Sequence, residues 1–420
     1  ATNALTSPFT GETYSRDGTA PTITSVTATT ADGSYTVGTV IPITVLFSET
    51  VNVTGTPTLA LGAGVAGTAS YASGTGSNTL TFNYTVAPGD NIALLDYQST
   101  TALALAGSTI ADIATNPATL TLPAPGAAGS LGASKALVID TISPTVALTT
   151  AAPATVTAPF SVTATFTEAS ASVLGFTFTD ITVGNGTASN VMGGPLVYTF
   201  DVTPTADGPI TVDIPANGAT DTALNNNTAA PQLTGITADL PPTVTSVSST
   251  LPDGSYGTVT GIVPITVVFS KPVAVTGAPT LTLGGGVTGP ATYASGTGGN
   301  TLTFNYTVVA GDTSFDLDYA STTALAGTIN SLLGTPANLT LAAPQAAGSL
   351  GARALVIDTK PPEITSVTST TVDGSYGLTN GPINVTVNFD EPVTSAGGIT
   401  VTLDTGATLA IPAFTNSASA

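Results

Sequence analysis

The sequence predicts an all-β chain of tandem β-sandwich domains, and three observations carry that reading. The segment Tyr71 to Val86 returns as Tyr293 to Val308 with a single change, Ser77 against Gly299, which marks duplicated domains. Within it Leu80, Phe82, Tyr84 and Val86 alternate with Thr79, Thr81, Asn83 and Thr85, the period-2 pattern of a strand with one buried face. Finally, 45 Gly and 30 Pro punctuate the 420 residues too often for long helices, while the abundant Thr and Val suit a pleated surface.

The repeats divide the chain. Asp32-Gly-Ser-Tyr35 recurs as Asp253-Gly-Ser-Tyr256, 221 residues later, and as Asp373-Gly-Ser-Tyr376, a further 120 residues on. The longer interval exceeds one sandwich of about 100 residues, so a divergent domain is expected between the first two copies. Joints of one kind recur at Asp17 to Pro21, Asp140-Thr-Ile-Ser-Pro144, Asp239-Leu-Pro-Pro242 and Asp358-Thr-Lys-Pro-Pro362. The expected segments are an extension or the end of a preceding unit at 1–16, then domains at 17–141, 142–239 (divergent), 240–359 and 360–420 (incomplete). Proline fixes its own φ and holds the preceding residue extended, so joints this short predict a rod of domains.

A second alternating strand is common to all four domains: Ile43, Val45 and Phe47; Phe160, Val162, Ala164 and Phe166; Ile265, Val267 and Phe269; Val385, Val387 and Phe389. Several such strands per domain, separated by Gly, Pro, Asn and Asp, read as a β-sandwich. The fourth domain reaches Ala420 before any counterpart of the Leu80 to Val86 strand or of the closing Leu137-Val-Ile-Asp140. Two expectations follow. The favoured one is that the sequence is part of a longer repeat protein. The other is that a neighbouring chain adds strands to it, for which the segment Ala1 to Arg16, with Leu5, Phe9 and Tyr14, is the candidate donor. The Asp-Gly-Ser-Tyr segments are expected to be turns, with Tyr35, Tyr256 and Tyr376 capping a core.

Composition narrows the function. Cys and His are both absent, which removes disulfides, thiolate and imidazole chemistry and the usual zinc ligands. A pair such as Asp316 and Asp318 would share a strand face and suggest acid/base work, but the aligned stretch in the first repeat has only Asp96. The expectation is no enzyme. Five Lys and Arg against 25 Asp and Glu give a charge of −20, which repels nucleic acid and anionic lipid and favours cations as small partners. No apolar run is long enough to span a membrane, and the first residues lack the features of a secretion signal, so the sequence is expected to begin after processing. With only 7% charged residues, such a chain is expected outside a bacterial cell.

The joints Asp140-Thr-Ile-Ser-Pro-Thr-Val146 and Asp358-Thr-Lys-Pro-Pro362, the Phe-x-Glu strand ends and the Asp-x-x-x-Asn loops resemble the bacterial immunoglobulin-like repeats of large surface adhesins and surface-layer proteins. The resemblance covers about residues 17–420. It implies immunoglobulin-like sandwiches, a spacer or adhesive shaft, and calcium at the junctions.

The residues themselves offer hard oxygen ligands of the kind calcium takes. Glu49, Glu168 and Glu391 follow Phe47, Phe166 and Phe389 by two residues; Asp140, Asp239 and Asp358 recur at the joints; and Asp112 with Asn116 matches Asp221 with Asn225. If the three kinds of residue meet at one pole of a sandwich, each junction gathers a structural calcium. The third repeat departs from the pattern, with Lys271 at the strand end and Asn330 with Thr335 in place of the loop pair. The competing reading is that Asp at a turn only bonds its own backbone. The leading expectation for function is a non-catalytic structural and adhesive surface stalk or layer component, with a host or cell-surface ligand as partner. The second is a filament or sheath subunit that self-associates by strand addition. A carbohydrate-binding module comes last, since Trp is absent and most aromatic positions point inward.

Overall fold

The computed structural model describes residues 16–377, 379 and 381–419; the segment carrying Leu5, Phe9 and Tyr14 lies outside them. Two compact units divide the chain, one through Leu240 and one from Pro241. The first unit holds two separate hydrophobic cores, built from residues of Ile23–Ile139 and of Val146–Ala238. The second holds one, from Val244 to Ile357, followed by a smaller pair of sheets.

In the first repeat one sheet runs Ile23–Ala28, Val40–Thr54, Ser77–Thr85, Thr68–Ser73, Thr58–Ala60 and Leu103–Ala104. The second comprises Gly33–Tyr35, Leu137–Asp140 and Asn91–Ile92. The alternation read from the sequence fixes which side chains enter the core: Ile43, Val45, Phe47, Leu80, Phe82 and Tyr84 are all at most 1% exposed. Ile43 pairs with Phe82 and Val45 with Leu80 across the two central strands, so one register serves both buried faces. The third repeat copies this pattern, with Ile265 opposite Phe304 and Val267 opposite Leu302.

The hairpin before the second central strand needs glycine. Gly74 and Gly296 both have φ +112°, and a Cβ on either would lie 2.2 Å from a backbone carbonyl oxygen, of Thr79 or Thr301. No side chain fits there.

The divergent repeat is a smaller sandwich of four strands on four. One sheet runs Thr145–Thr149, Phe160–Thr167, Val197–Pro204 and Gly186–Gly193; the other runs Thr155–Val156, Leu233–Ala238, Gly208–Asp213 and Thr182–Gly184. In the fourth repeat Ile364–Thr368, Thr386–Ser395 and Phe414–Ser419 form one sheet, and Ile399–Thr402 with Thr408–Ile411 the other. Val387 is buried, but Val367 is 53% exposed where its counterparts Val26 and Val247 are 0% and 2% exposed.

Two expectations are corrected. The Asp-Gly-Ser-Tyr segments of the first and third repeats do not turn back on themselves. Gly33–Tyr35 and Gly254–Ser255 are short strands parallel to the closing strands Leu137–Asp140 and Leu355–Asp358, because long-range pairing supplies the backbone bonds that a hairpin would have made locally. Tyr35 and Tyr256 do pack on their cores, each hydroxyl donating to the carbonyl four residues back, Ala31 and Pro252, at 2.6 Å. Asp316 and Asp318 are not on a strand. Asp318 is buried and accepts the N–H groups of Tyr319 and Gln345, both at 2.8 Å, the loop-pinning role that Asp96 plays for Tyr97 and Gly126.

A buried pair that the sequence did not single out locks the first and third cores. The Tyr84 hydroxyl donates to Asp90 Oδ2 at 2.5 Å, and the Ala66 and Ala87 N–H groups donate to the same carboxylate at 2.7 and 2.8 Å. Tyr306 and Asp312 repeat the arrangement with Thr288 and Val309. Burial pushes the Asp90 and Asp312 carboxyls up, but the tyrosine hydroxyl and backbone donors outweigh it and hold both below the usual carboxylate range. A depressed folded pKa contributes stability that is complete above the unfolded value and is lost as pH falls through the folded one. Tyr84→Phe should therefore cost the first repeat about 1–3 kcal/mol at neutral pH, as a buried acceptor loses a partner. In urea titrations from about pH 5 down to about pH 2, a range that straddles the free Asp value of about 3.9, the wild type should lose more stability than the Tyr84→Phe, Tyr306→Phe double variant.

Candidate metal sites at the repeat poles

Period-2 geometry explains where the carboxylates of the first two central strands stand. Phe166 is the last large side chain on its strand's buried face, and Glu168 follows two residues on at the rim; in the first repeat Glu49 interrupts the buried face between Phe47 and Val51, both at most 1% exposed. Glu49 and Glu168 are each half-buried.

The opposing wall is a tight loop. Asp112 N–H donates to Asn116 O at 3.1 Å, Asn116 N–H donates to Asp112 Oδ1 at 2.8 Å, and Thr115 takes φ +69°. Asp221 and Asn225 build the same loop, with Leu224 at φ +68°. In the third repeat the loop survives between Ser331 and Thr335, the Ser331 hydroxyl accepting Thr335 N–H at 3.0 Å and Gly334 taking φ +100°. The structural counterpart of the loop Asp there is Ser331, not the expected Asn330, and the loop shape does not depend on a carboxylate.

The joint closes the set. Asp17, Glu49 and Asp112 bring carboxylate oxygens within 4.8 Å of one another, and Asp140, Glu168 and Asp221 do the same. Each pole therefore takes the Asp that precedes its own repeat: Asp140 belongs with Glu168 and not with Glu49, whose partner is Asp17. Asp112, Asp140 and Asp221 are buried. Burial first, and then the charges of Asp17 and Asp112, push the Glu49 carboxyl up. In the second pole Glu168 Oε1 accepts Ser170 N–H at 3.1 Å, while its buried Oε2 has no hydrogen-bond partner among the described residues. Three carboxylates and an orphaned oxygen suit a divalent cation with hard oxygen ligands, calcium above all.

Asn116 and Asn225 act as amide clamps. Asn225 Nδ2 donates to Asp221 Oδ2 at 2.8 Å and to the Asp140 backbone carbonyl at 2.9 Å, and its Oδ1 accepts the Thr36 hydroxyl of the preceding repeat. Asn116 Nδ2 donates to Asp112 Oδ2 at 2.6 Å and reaches the Asp17 carbonyl at 3.3 Å. Both tie the loop to the joint.

The other expected ligands fall elsewhere. Asp239 is buried at the end of the first unit, its N–H donating to Val156 O at 2.9 Å. In the second unit burial, and then the neighbouring Asp358 and Asp390, push Glu391 up. Lys360 already lies 2.7 Å from Asp390. Asp358, Lys360, Asp390 and Glu391 line one cavity of about 280 Å³. Among the described residues no third cluster of three carboxylates forms.

Residues 140–237 match the family model of a bacterial Ig-like domain, so the divergent repeat with the second acidic pole is a domain of that kind. No curated protein matches the chain. Solved structures with similarity include invasin, a bacterial integrin-binding protein, at 13% identity and TM-score 0.26, over 93% of this chain and 74% of that one. InvD of Yersinia pseudotuberculosis is 12% identical over 95% of this chain and 98% of its own, at TM-score 0.23. The I9–I11 tandem of titin is 9% identical over 72% and 96%, at TM-score 0.22. Nothing about this chain rests on overlaps at those scores. The architecture stands on its own sheets and cores: tandem immunoglobulin-like β-sandwiches, of which the second is a bacterial Ig-like domain.

Proposed function

We propose that the chain is a non-catalytic structural and adhesive protein of the bacterial surface, whose first two repeat poles bind calcium and thereby fix the joint at each to the repeat that follows it. The observation that supports this most is the convergence of joint Asp, strand-end Glu and loop Asp in two repeats of different sequence. Such a site spans the joint and the sandwich, so a cation there restrains the joint rather than the core alone. The bacterial Ig-like domain at 140–237 supports an extracellular setting. No helix among the described residues is long and apolar enough to cross a membrane.

A second reading, a self-associating filament or sheath subunit, is favoured by one feature. Ile364, Val367 and Ile383 of the fourth repeat are each more than half exposed, and a strand added by a neighbouring chain would cover such a face. Sedimentation across a range of concentrations separates the readings: a monomer at every concentration removes the filament, and ordered growth without any partner removes the stalk.

Thermal unfolding with excess calcium and with chelator tests the metal. A ligand at a hundred times its Kd that binds only the native state stabilises by about 2.7 kcal/mol. For a domain of this size that is a rise in midpoint of roughly 10–20 °C, and no shift refutes the proposal. Glu49 supplies a sharper test through sign. A carboxyl whose folded pKa is raised contributes stability below its unfolded value and loses it as pH rises through the folded one. Glu49→Gln should therefore raise the midpoint of the first repeat in chelator at pH 7 and abolish its rise with calcium, an inversion that a merely structural Glu would not give. Asn225→Ala should destabilise the first unit with or without calcium, by about 1–3 kcal/mol for the buried acceptors it orphans, read as a lower unfolding midpoint in both conditions.

A further inference from the structure

The second repeat departs from the first and third at one sheet edge. In the first, Thr68–Ser73 is followed outward by Thr58–Ala60, and in the third Ala291–Ser295 is followed by Val273–Leu281. In the second, the corresponding strand Gly186–Gly193 pairs with Val197–Pro204 on one side, and no described strand takes the other. The chain that would have covered it turns through Phe178–Asp180 and joins the opposite sheet as Thr182–Gly184.

Beside this open edge lies a cavity of about 270 Å³ whose wall includes Phe176, Phe178, Val191, Met192 and Tyr198. Its floor is rigid, Phe176 and Tyr198 meeting edge to face with centroids 5.0 Å apart. Its rim is not covered: Phe178 is 62% exposed and Met192 64%. An apolar rim around a preformed aromatic floor is the chemistry of a side-chain pocket. The electrostatics are one-sided, because residues 142–239 contain seven carboxylates and no Lys or Arg. Two of the seven accept hydrogen bonds from residues that line the cavity, Asp180 from Thr177 and Asp201 from Asn190. Asp180 ends the turn that carries Phe178, and Asp201 accepts Asn190 Nδ2 at 2.9 Å from the edge strand.

We propose that this edge binds an extended, basic segment of a partner protein. The segment adds as a strand to Gly186–Gly193, lodges one apolar side chain between Phe178 and Met192, and sets Lys or Arg against Asp180 and Asp201. Main-chain bonds alone do not suffice, since a bulge between Ser189 and Met192 interrupts the regular ladder. The pocket therefore supplies the anchor and the carboxylates the selection, as in other strand-addition sites. An acidic segment would meet like charge, and a neutral Thr-rich strand of this chain would leave both carboxylates without a partner.

Met192 is the only methionine in the chain, so its labelled methyl group gives one NMR signal that reports on the pocket. The probes are synthetic ten-residue peptides of alternating Thr and Val with one central Phe and Lys at both ends. Controls carry Glu at both ends, or Ala for Phe. With the full chain at low salt, the Lys/Phe peptide should bind saturably, shift the Met192 signal, and bind at least about tenfold tighter than either control, the loss expected from removing an anchor contact. Phe178→Ser with Met192→Ser, both at exposed positions, should weaken it by about the same factor while the unfolding midpoint holds. Saturable binding by none of the peptides, equal binding of the Glu-ended peptide, or binding that leaves the Met192 signal unmoved overturns the proposal. So does self-association of the wild type that the double variant abolishes, which would assign the edge to a second copy.

Discussion

Everything in this chain depends on one central strand per repeat whose alternate side chains are buried against an opposing sheet. That strand does more than fill a core. Two residues beyond Phe47 or Phe166 the inward position is half-buried, and it lies close to the joint Asp and the loop Asp. A polar residue there can be reached both by the loop from the far side and by the chain arriving from the preceding repeat. The sandwich thus positions its pole by the same periodicity that forms its core.

What stands at the pole carries an electrostatic cost. Three carboxylates within 4.8 Å repel one another in a partly desolvated place, and the raised Glu49 carboxyl records it. Such a cluster persists where something offsets the repulsion. The third repeat shows the alternative: its strand-end residue is Lys271 and its loop carries Ser331, yet the loop keeps its hydrogen bonds and left-handed fourth residue. The carboxylates are therefore not needed to shape the loop, which favours a ligand role for them over the ordinary turn-making one.

The repeats diverge in how the chain crosses between sheets. In the first and third, the segment after the central strand stays in the same sheet and extends it; in the second it changes sheets and leaves Gly186–Gly193 as an edge. Edges left open in native proteins are usually blunted, and here the bulge beside Met192 does part of that. The exposed aromatic rim does the opposite, and the absence of any basic side chain in the repeat sets the charge of whatever can approach.

Much of this was legible in the sequence, because period-2 alternation and near-identical repeats are local signals. Leu80 to Tyr84 and Ile43 to Phe47 announced strand and buried face, and the joint Asp, strand-end Glu and loop Asp stood out as candidate oxygen ligands by their recurrence, although Asp17, which completes the first cluster, was not among them. Tertiary structure decided the rest, since pairing partners are set by chain reversal and not by local pattern. It made Asp32-Gly-Ser-Tyr35 a strand beside Leu137–Asp140, and it gave Asp140 to the pole of the following repeat. It placed Ser331 where Asn330 was expected. The Tyr84–Asp90 lock could have been noticed from its recurrence as Tyr306–Asp312, six residues apart in both copies. Its burial could not, because a buried carboxylate is tolerable only when the fold brings donors to it, and Ala66 comes from a separate loop, 24 residues before Asp90. The sequence determined what each residue could do; which residues met was settled by the closing of two sheets over one core.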